Sequence, residues 1–297
     1  MRTCAYLKFH TAPLVGKTIA MTGCTGGLGR VWVEQLASLG ASLILLDRNR
    51  ERSEALRDTL ISAYHTDVRC IRVDLEDMDT VRKATEILSS LPLDMFIHNA
   101  GAYKIPRRRC ASGLDNVFQI NFAAPYYMIR ELLPTLRARR GHVVAVGSIA
   151  HNYSHIDPDD MEFATRRASS KVYGNAKRHL MFSLLELFRT ETDATLSIVH
   201  PGITLTNMTA HFPKPIFALI KYPMKILFMS RERACLSLIR GVFEPSAPDA
   251  WIGPRIANVW GLPKRQPLRT AKKEEREAIA TRAQTVYECL KGAENHD

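Results

Sequence analysis

From residue 18 the chain reads Thr18-Ile19-Ala20-Met21-Thr22-Gly23-Cys24-Thr25-Gly26-Gly27-Leu28-Gly29. A short apolar run without polar alternation fits a strand covered on both faces. The glycines then mark a turn, and Leu28, Val31, Trp32, Leu36 and Leu39 follow at helical spacing. Strand, glycine turn and helix together make the first half of a parallel crossover unit.

The unit recurs. Short runs rich in Val, Ile and Leu lie at 42–46, 68–73, 93–97, 142–146 and 196–199, separated by helix-period segments at 28–39, 52–64, 80–91, 117–137 and 169–190. Strands alternating with helices predict an α/β fold: a doubly wound parallel sheet with helices on both faces. The sequence shows no repeat, low-complexity tract or long linker, so 1–297 reads as a single domain. Past Pro201 the rhythm breaks. The Pro-rich apolar stretch over 203–230 reads as a lid, and 264–297 as a peripheral helical tail.

Composition supports a folded chain, since 46% hydrophobic and 24% charged residues are ordinary for a globular protein. The six cysteines are scattered, with no CxxC pair, and read as reduced thiols; neither they nor the ten histidines show ligand spacing, so no metal is expected. No run of about 18 uncharged apolar residues is present. The first residues, broken by Lys8, His10 and Pro13, do not read as a signal peptide. A cytoplasmic location follows as the expectation. The net charge of +11 comes from basic clusters at 48–52, 104–109, 137–140 and 264–269. They are not interleaved with aromatics and match no nucleic-acid motif, so no nucleic acid is expected. A solvated surface is the plain reading, and peripheral contact with an anionic membrane is the alternative.

The glycine turn has a chemical reading. Thr22, Gly23, Thr25, Gly27, Leu28 and Gly29 stand where a dinucleotide pyrophosphate can approach backbone N–H groups at a helix N-terminus. Asp47 ends the next apolar run, where a carboxylate can accept both ribose hydroxyls of NAD and repel a 2′-phosphate. Arg48 beside it can instead hold that phosphate, the mark of NADP. A turn-forming Asp is the plain alternative. NAD is the expected cofactor. Asp74 and Leu75 close the third run, where a carboxylate can meet the adenine amino group or simply cap a helix.

Further along stand Asn99-Ala100-Gly101, Asn121, Ser148, the pair Tyr173 and Lys177, and Pro201-Gly202-Ile203 with Thr206. These, with Thr22–Gly29, resemble the TGxxxGxG, NAG, catalytic Asn, catalytic Ser, YxxxK and PG motifs of the short-chain dehydrogenase/reductase family, in order and over nearly the whole chain. The resemblance implies a Rossmann-type nicotinamide-dependent oxidoreductase. Asn99, Ala100, Gly101, Pro201, Gly202, Ile203 and Thr206 would border the cofactor. Lys177 would hold the nicotinamide ribose, and Asn121 would continue a proton relay. It also implies a homodimer or homotetramer, paired through helices like those over 117–137 and 169–190. One spacing departs: Ser148 and Tyr173 are 25 positions apart, and 151–167 looks like an insertion similar to that of retinol-dehydrogenase-like members.

The chemistry that the resemblance implies for the triad has a physical rationale, although a Tyr and Lys four apart are by themselves a routine helix pair and a Ser ending a strand a turn former. A tyrosine titrates near about 10, too high for a base at neutral pH. Lys177, at i+4 on a helix, shares a face with Tyr173 and would lower it. Ser148 would hold the substrate oxygen where charge develops. Ser148 and Tyr173 are therefore the expected substrate contacts, with Phe217 and Leu227 on the apolar stretch lining a site for a small hydrophobic alcohol or ketone, such as a steroid or retinoid.

Overall fold

The run Thr18–Thr22 is strand β1 of an eight-stranded sheet in the computed structural model, which describes residues 6, 10–203, 229–246 and 248–292. The other strands are β2 (Ser42–Asp47), β3 (Val68–Arg72), β4 (Met95–His98), β5 (His142–Val146), β6 (Thr195–Val199), β7 (Ala250–Ile256) and β8 (Trp260–Pro267), in the order β3-β2-β1-β4-β5-β6-β7-β8. All neighbours pair in parallel except β7 and β8. Winding therefore reverses between β1 and β4. In open α/β sheets ligands bind outside the carboxyl ends of the strands at such a switch point.

The parallel strands alternate their side chains between two cores, as a period of two requires. Ile19, Met21, Leu43, Leu45, Met95 and Ile97 pack with residues of α1 (Gly27–Ser38), α2 (Arg50–Tyr64) and α7 (Arg231–Phe243). Ala20, Ile44, Leu46, Phe96, Val143 and Ala145 pack with α3 (Met78–Ser89), α5 (Ala124–Arg137), α6 (Ser169–Leu187) and α8 (Lys273–Gly292). Each large apolar side chain so buried stabilises the fold by about 1.5–3 kcal/mol. Before α5 stand a single helical turn, α4 (Asn116–Phe118), and a π-helical turn, Gln119–Ala123.

Beyond Pro201 the structure corrects the sequence reading. The stretch 264–267 belongs to β8, not to a helical tail. Its prolines and charges hide a strand that is tolerated because β8 is the sheet edge, where Pro263 lies opposite Pro254. Nor is α8 peripheral. Ile279, Ala283, Val286 and Leu290 form a buried stripe at helical spacing, masked in the sequence by the charges around it. This helix lies on α6 and α5 of its own chain. These are the two helices that the sequence reading expected to pair subunits. The expected lid falls almost wholly outside the described residues, and Thr206, Phe217 and Leu227 with it. Its flanks meet, Met229 N donating to Ile203 O at 3.1 Å.

Candidate active site

At the carboxyl end of β1 the chain is tied to the loop after β4. Thr22 Oγ1 accepts from the backbone N–H groups of Asn99 and Ala100, both at 3.1 Å. Asn99 Nδ2 donates to the carbonyls of Thr22 at 3.1 Å and Gly23 at 3.0 Å. Gly23 has φ +71° and leaves no room for a side chain, since a Cβ would stand 2.9 Å from Ala100 Cα. A Cβ at Gly29 would lie 2.0 Å from Gly23 O, so α1 starts packed against its own turn.

The N-cap of α1 is Gly26, and no side chain caps the first turn. By contrast Asn49, Asp77 and Ser230 cap α2, α3 and α7 with side-chain oxygens. The leading N–H groups of α1, Leu28 included, have no acceptor in their own helix. They fit the phosphates of a dinucleotide.

Asp47 stands beside them at the end of β2. Its Oδ2 accepts from Thr25 N at 3.0 Å and Thr25 Oγ1 at 2.8 Å, and its Oδ1 from Arg48 N at 2.9 Å. Thr25 thereby orients the carboxylate, and the Arg48 side chain is exposed. Asp74 is engaged in a local turn, its Oδ1 accepting from Glu76 N at 3.1 Å. The carbonyl of Leu75 accepts from Gln119 Nε2 at 2.9 Å. Gly202 follows Pro201 with φ +83° and fits closely, since a Cβ would meet Val259 O at 2.7 Å.

Ser148, Tyr173, Lys177 and Asn121 come from three different elements and meet beyond the ends of β4 and β5. Ser148 has extended backbone at the N-cap of a 3₁₀ turn (Ile149–Tyr153), and its Oγ accepts from Ala150 N at 3.2 Å. Its carbonyl oxygen is 2.6 Å from His151 Nδ1, whose Nε2 is 3.0 Å from Thr270 Oγ1. Tyr173 lies on the first turns of α6. Tyr103 packs edge-on against its ring at 5.3 Å between centroids.

One turn along, Lys177 Nζ donates to Val146 O at 2.9 Å and lies 5.9 Å from the Tyr173 ring centroid. Asn121 sits in the π-helical turn. Its Nδ2 donates to Val117 O at 2.8 Å and Ala102 O at 2.9 Å, and its Oδ1 accepts from Ala102 N at 3.2 Å. Gly101 keeps the space between Asn121 and Lys177 open, for a Cβ there would stand 2.9 Å from Asn121 Oδ1 and 3.6 Å from Lys177 Nζ. Ser148 and Tyr173 are partly exposed, whereas Lys177 and Asn121 are buried.

The electrostatics differ from the sequence expectation. Burial pushes the Tyr173 hydroxyl up to about 12, opposed by the neighbouring Ser148 hydroxyl. Burial also pushes Lys177 down to about 7. The lysine is stripped of water and turned onto the Val146 carbonyl, so the chain alone lacks the expected cationic lowering of Tyr173. Sequence reasoning also passed over Tyr103, His98 and His151. His98 ends β4 with its Nδ1 3.2 Å from Thr22 Oγ1, and is held neutral by burial and by Lys177. Adjacency to the matched motifs was the available signal for all three.

A family model described as short chain dehydrogenase matches residues 17–215. The chain is 28% identical over 250 residues to dehydrogenase/reductase SDR family member FEY of Arabidopsis thaliana, covering 79% of this chain and 66% of that protein. It is 30% identical over 253 residues to retinol dehydrogenase 14 of Mus musculus, covering 76% of each. The chain thus spans about two thirds of the length of the first of these relatives. Among solved structures, an uncharacterised protein from Mycobacterium paratuberculosis superposes with a TM-score of 0.72 at 22% identity, over 95% of both chains. A short-chain dehydrogenase from Sphingobium yanoikuyae in complex with NADPH gives a TM-score of 0.59 at 21% identity, over 75% of this chain and 83% of that one. At these identities the structural likeness concerns the fold.

Proposed function

This chain belongs to the short-chain dehydrogenase family and is an NAD(P)-dependent oxidoreductase, and from that premise we propose that it interconverts a lipophilic alcohol and its ketone or aldehyde by a Ser148–Tyr173–Lys177 mechanism. The observation that carries the reading is the gathering of Ser148, Tyr173, Lys177 and Asn121 beyond the ends of β4 and β5, with Lys177 and Asn121 buried. A bound nicotinamide supplies or accepts the hydride. Ser148 orients the substrate oxygen, and Tyr173 delivers a proton to it. A hydroxyl pushed up to about 12 stays protonated at neutral pH and is suited to giving that proton during carbonyl reduction. For alcohol oxidation the phenol must first lose it, and the relay through Lys177 and Asn121 that the family resemblance implies would carry that proton.

Asp47 favours NAD over NADP, because its oriented carboxylate would oppose a 2′-phosphate. NADP is the second reading, favoured by the exposed Arg48. A hydrophobic substrate is supported by the similarity to a retinol dehydrogenase and by the apolar composition of 204–228, including Phe217 and Leu227. We take that stretch as the substrate cover, and the site as cytoplasmic or at a membrane surface. Among the described residues no helix is long and apolar enough to cross a membrane. The test is a panel of steroids, retinoids, long-chain alcohols and sugars, followed by cofactor absorbance with both dinucleotides. Turnover of the lipophilic members is expected. Better turnover of small polar alcohols or sugars would overturn the substrate class, and no hydride transfer from any member would overturn the reading.

A further inference from the structure

We infer that Arg231 clamps the cofactor pyrophosphate against the glycine turn, an assignment that rests on the dinucleotide reading above. Its guanidinium lies on the backbone of Gly27. A Cβ built there would stand 3.4 Å from Arg231 Cζ, 3.5 Å from Nε and 3.7 Å from Nη2. One turn further along α7, Cys235 Sγ is 3.7 Å from Leu28 O, so the first turn of α7 is laid over the first turn of α1. Gly27 thus provides a floor for a cation that belongs to another helix, 204 positions later in the chain.

Charge makes the placement informative. Arg231 is the first residue of α7, where the partial positive charge of the helix end opposes a cation. The uncapped N-terminus of α1 adds a second positive end beside it. Of the other arginines on these helices, Arg30 pairs with Glu34 at 3.0 Å and Arg240 with Glu244 at 2.8 Å, while Arg233 is turned over the Trp260 ring at 5.5 Å. Arg231 is exposed and forms no ion pair among the described residues. A guanidinium held between two helix N-termini without a counter-ion is complementary to a bridging diphosphate. That anion accepts from the uncapped N-terminus of α1 and from the fork of the side chain.

The test measures binding rather than turnover. Titrate NAD, NADP, ADP and adenosine into the full chain and into Arg231→Ala and Arg231→Lys, by calorimetry at several salt concentrations. Arg231→Ala should weaken NAD, NADP and ADP by about 10- to 100-fold, the range for a charge-assisted bond. Adenosine binding should stay within twofold, and the salt dependence of ADP binding should flatten. Arg231→Lys should recover part of the loss. The residue is exposed, and an unchanged circular dichroism melt would show that the variant folds. ADP affinity within twofold of wild type in Arg231→Ala overturns the clamp, as does an equal loss for adenosine. If the unmutated chain binds none of the dinucleotides or ADP, the cofactor reading fails with it.

Discussion

Arg178 and Glu275 form a two-point ion pair between α6 and α8, Nε to Oε1 at 2.7 Å and Nη2 to Oε2 at 2.6 Å, with Arg178 1% exposed. The same guanidinium donates to the carbonyls of His151 at 3.1 Å and Thr270 at 2.7 Å. Arg178 follows Lys177 directly, so consecutive residues of α6 serve the site and anchor the last helix.

Removing one partner should therefore cost much more than removing both. Glu275→Ala leaves a buried guanidinium uncompensated and should destabilise the fold by about 3–5 kcal/mol, read from urea denaturation. Pairing Arg178→Met with Glu275→Leu should recover most of that loss. Equal destabilisation by the single and double changes would show that the pair does not act as a charged unit.

Tyr173→Phe removes the proton-transferring hydroxyl and keeps the ring against Tyr103. On the most active substrate of the panel, kcat should fall by about 10²- to 10⁴-fold, while the Kd for the dinucleotide stays within a few-fold. A variant that retains more than about a tenth of the activity would remove Tyr173 from the mechanism.

Lys177 offers a pH signature. Burial lowers it from its usual 10.5 to about 7. Between those values the unfolded chain binds a proton that the folded chain does not, so this residue makes stability rise with pH across the window. Below about pH 7 both states are protonated and the full cost of the buried charge remains. The stability of wild type relative to Lys177→Met should rise by roughly 1.4 kcal/mol per pH unit between pH 7.5 and 9.5. Parallel stability curves for the two proteins would contradict the burial argument.

Asp47→Ser should raise the Kd for NAD by roughly tenfold, through loss of charged hydrogen bonds to the ribose. NADP should bind better than to wild type, since Arg48 then faces the 2′-phosphate unopposed. Wild-type preference for NADP in the same titration would reverse the assignment of Asp47.

Much of this was legible from local pattern. The glycine turn between an apolar run and a helix, the five recurrences of that alternation, and a Tyr and Lys four apart are short-range signals. Backbone geometry converts them directly into β1, α1, the parallel sheet and a shared face of α6. The position of Ser148 at the end of β5 is legible for the same reason.

What required tertiary structure involves partners far apart in the chain, or residues whose local pattern misleads. Arg178 and Glu275 are 97 positions apart, and nothing in the charged run of α8 announces that one of its glutamates is half of a buried pair. β8 carries prolines and basic residues that only an edge position tolerates. The π-helical turn that sets Asn121 under Ala102 depends on the carbonyls it meets, not on helical propensity. Sequence periodicity determined which residues form each element and which face they bury. The three-dimensional packing alone decided which helix covers α5 and α6, which way Lys177 turns, and that Arg231 lies over Gly27, because those outcomes depend on contacts between segments whose spacing in the chain carries no periodic signal.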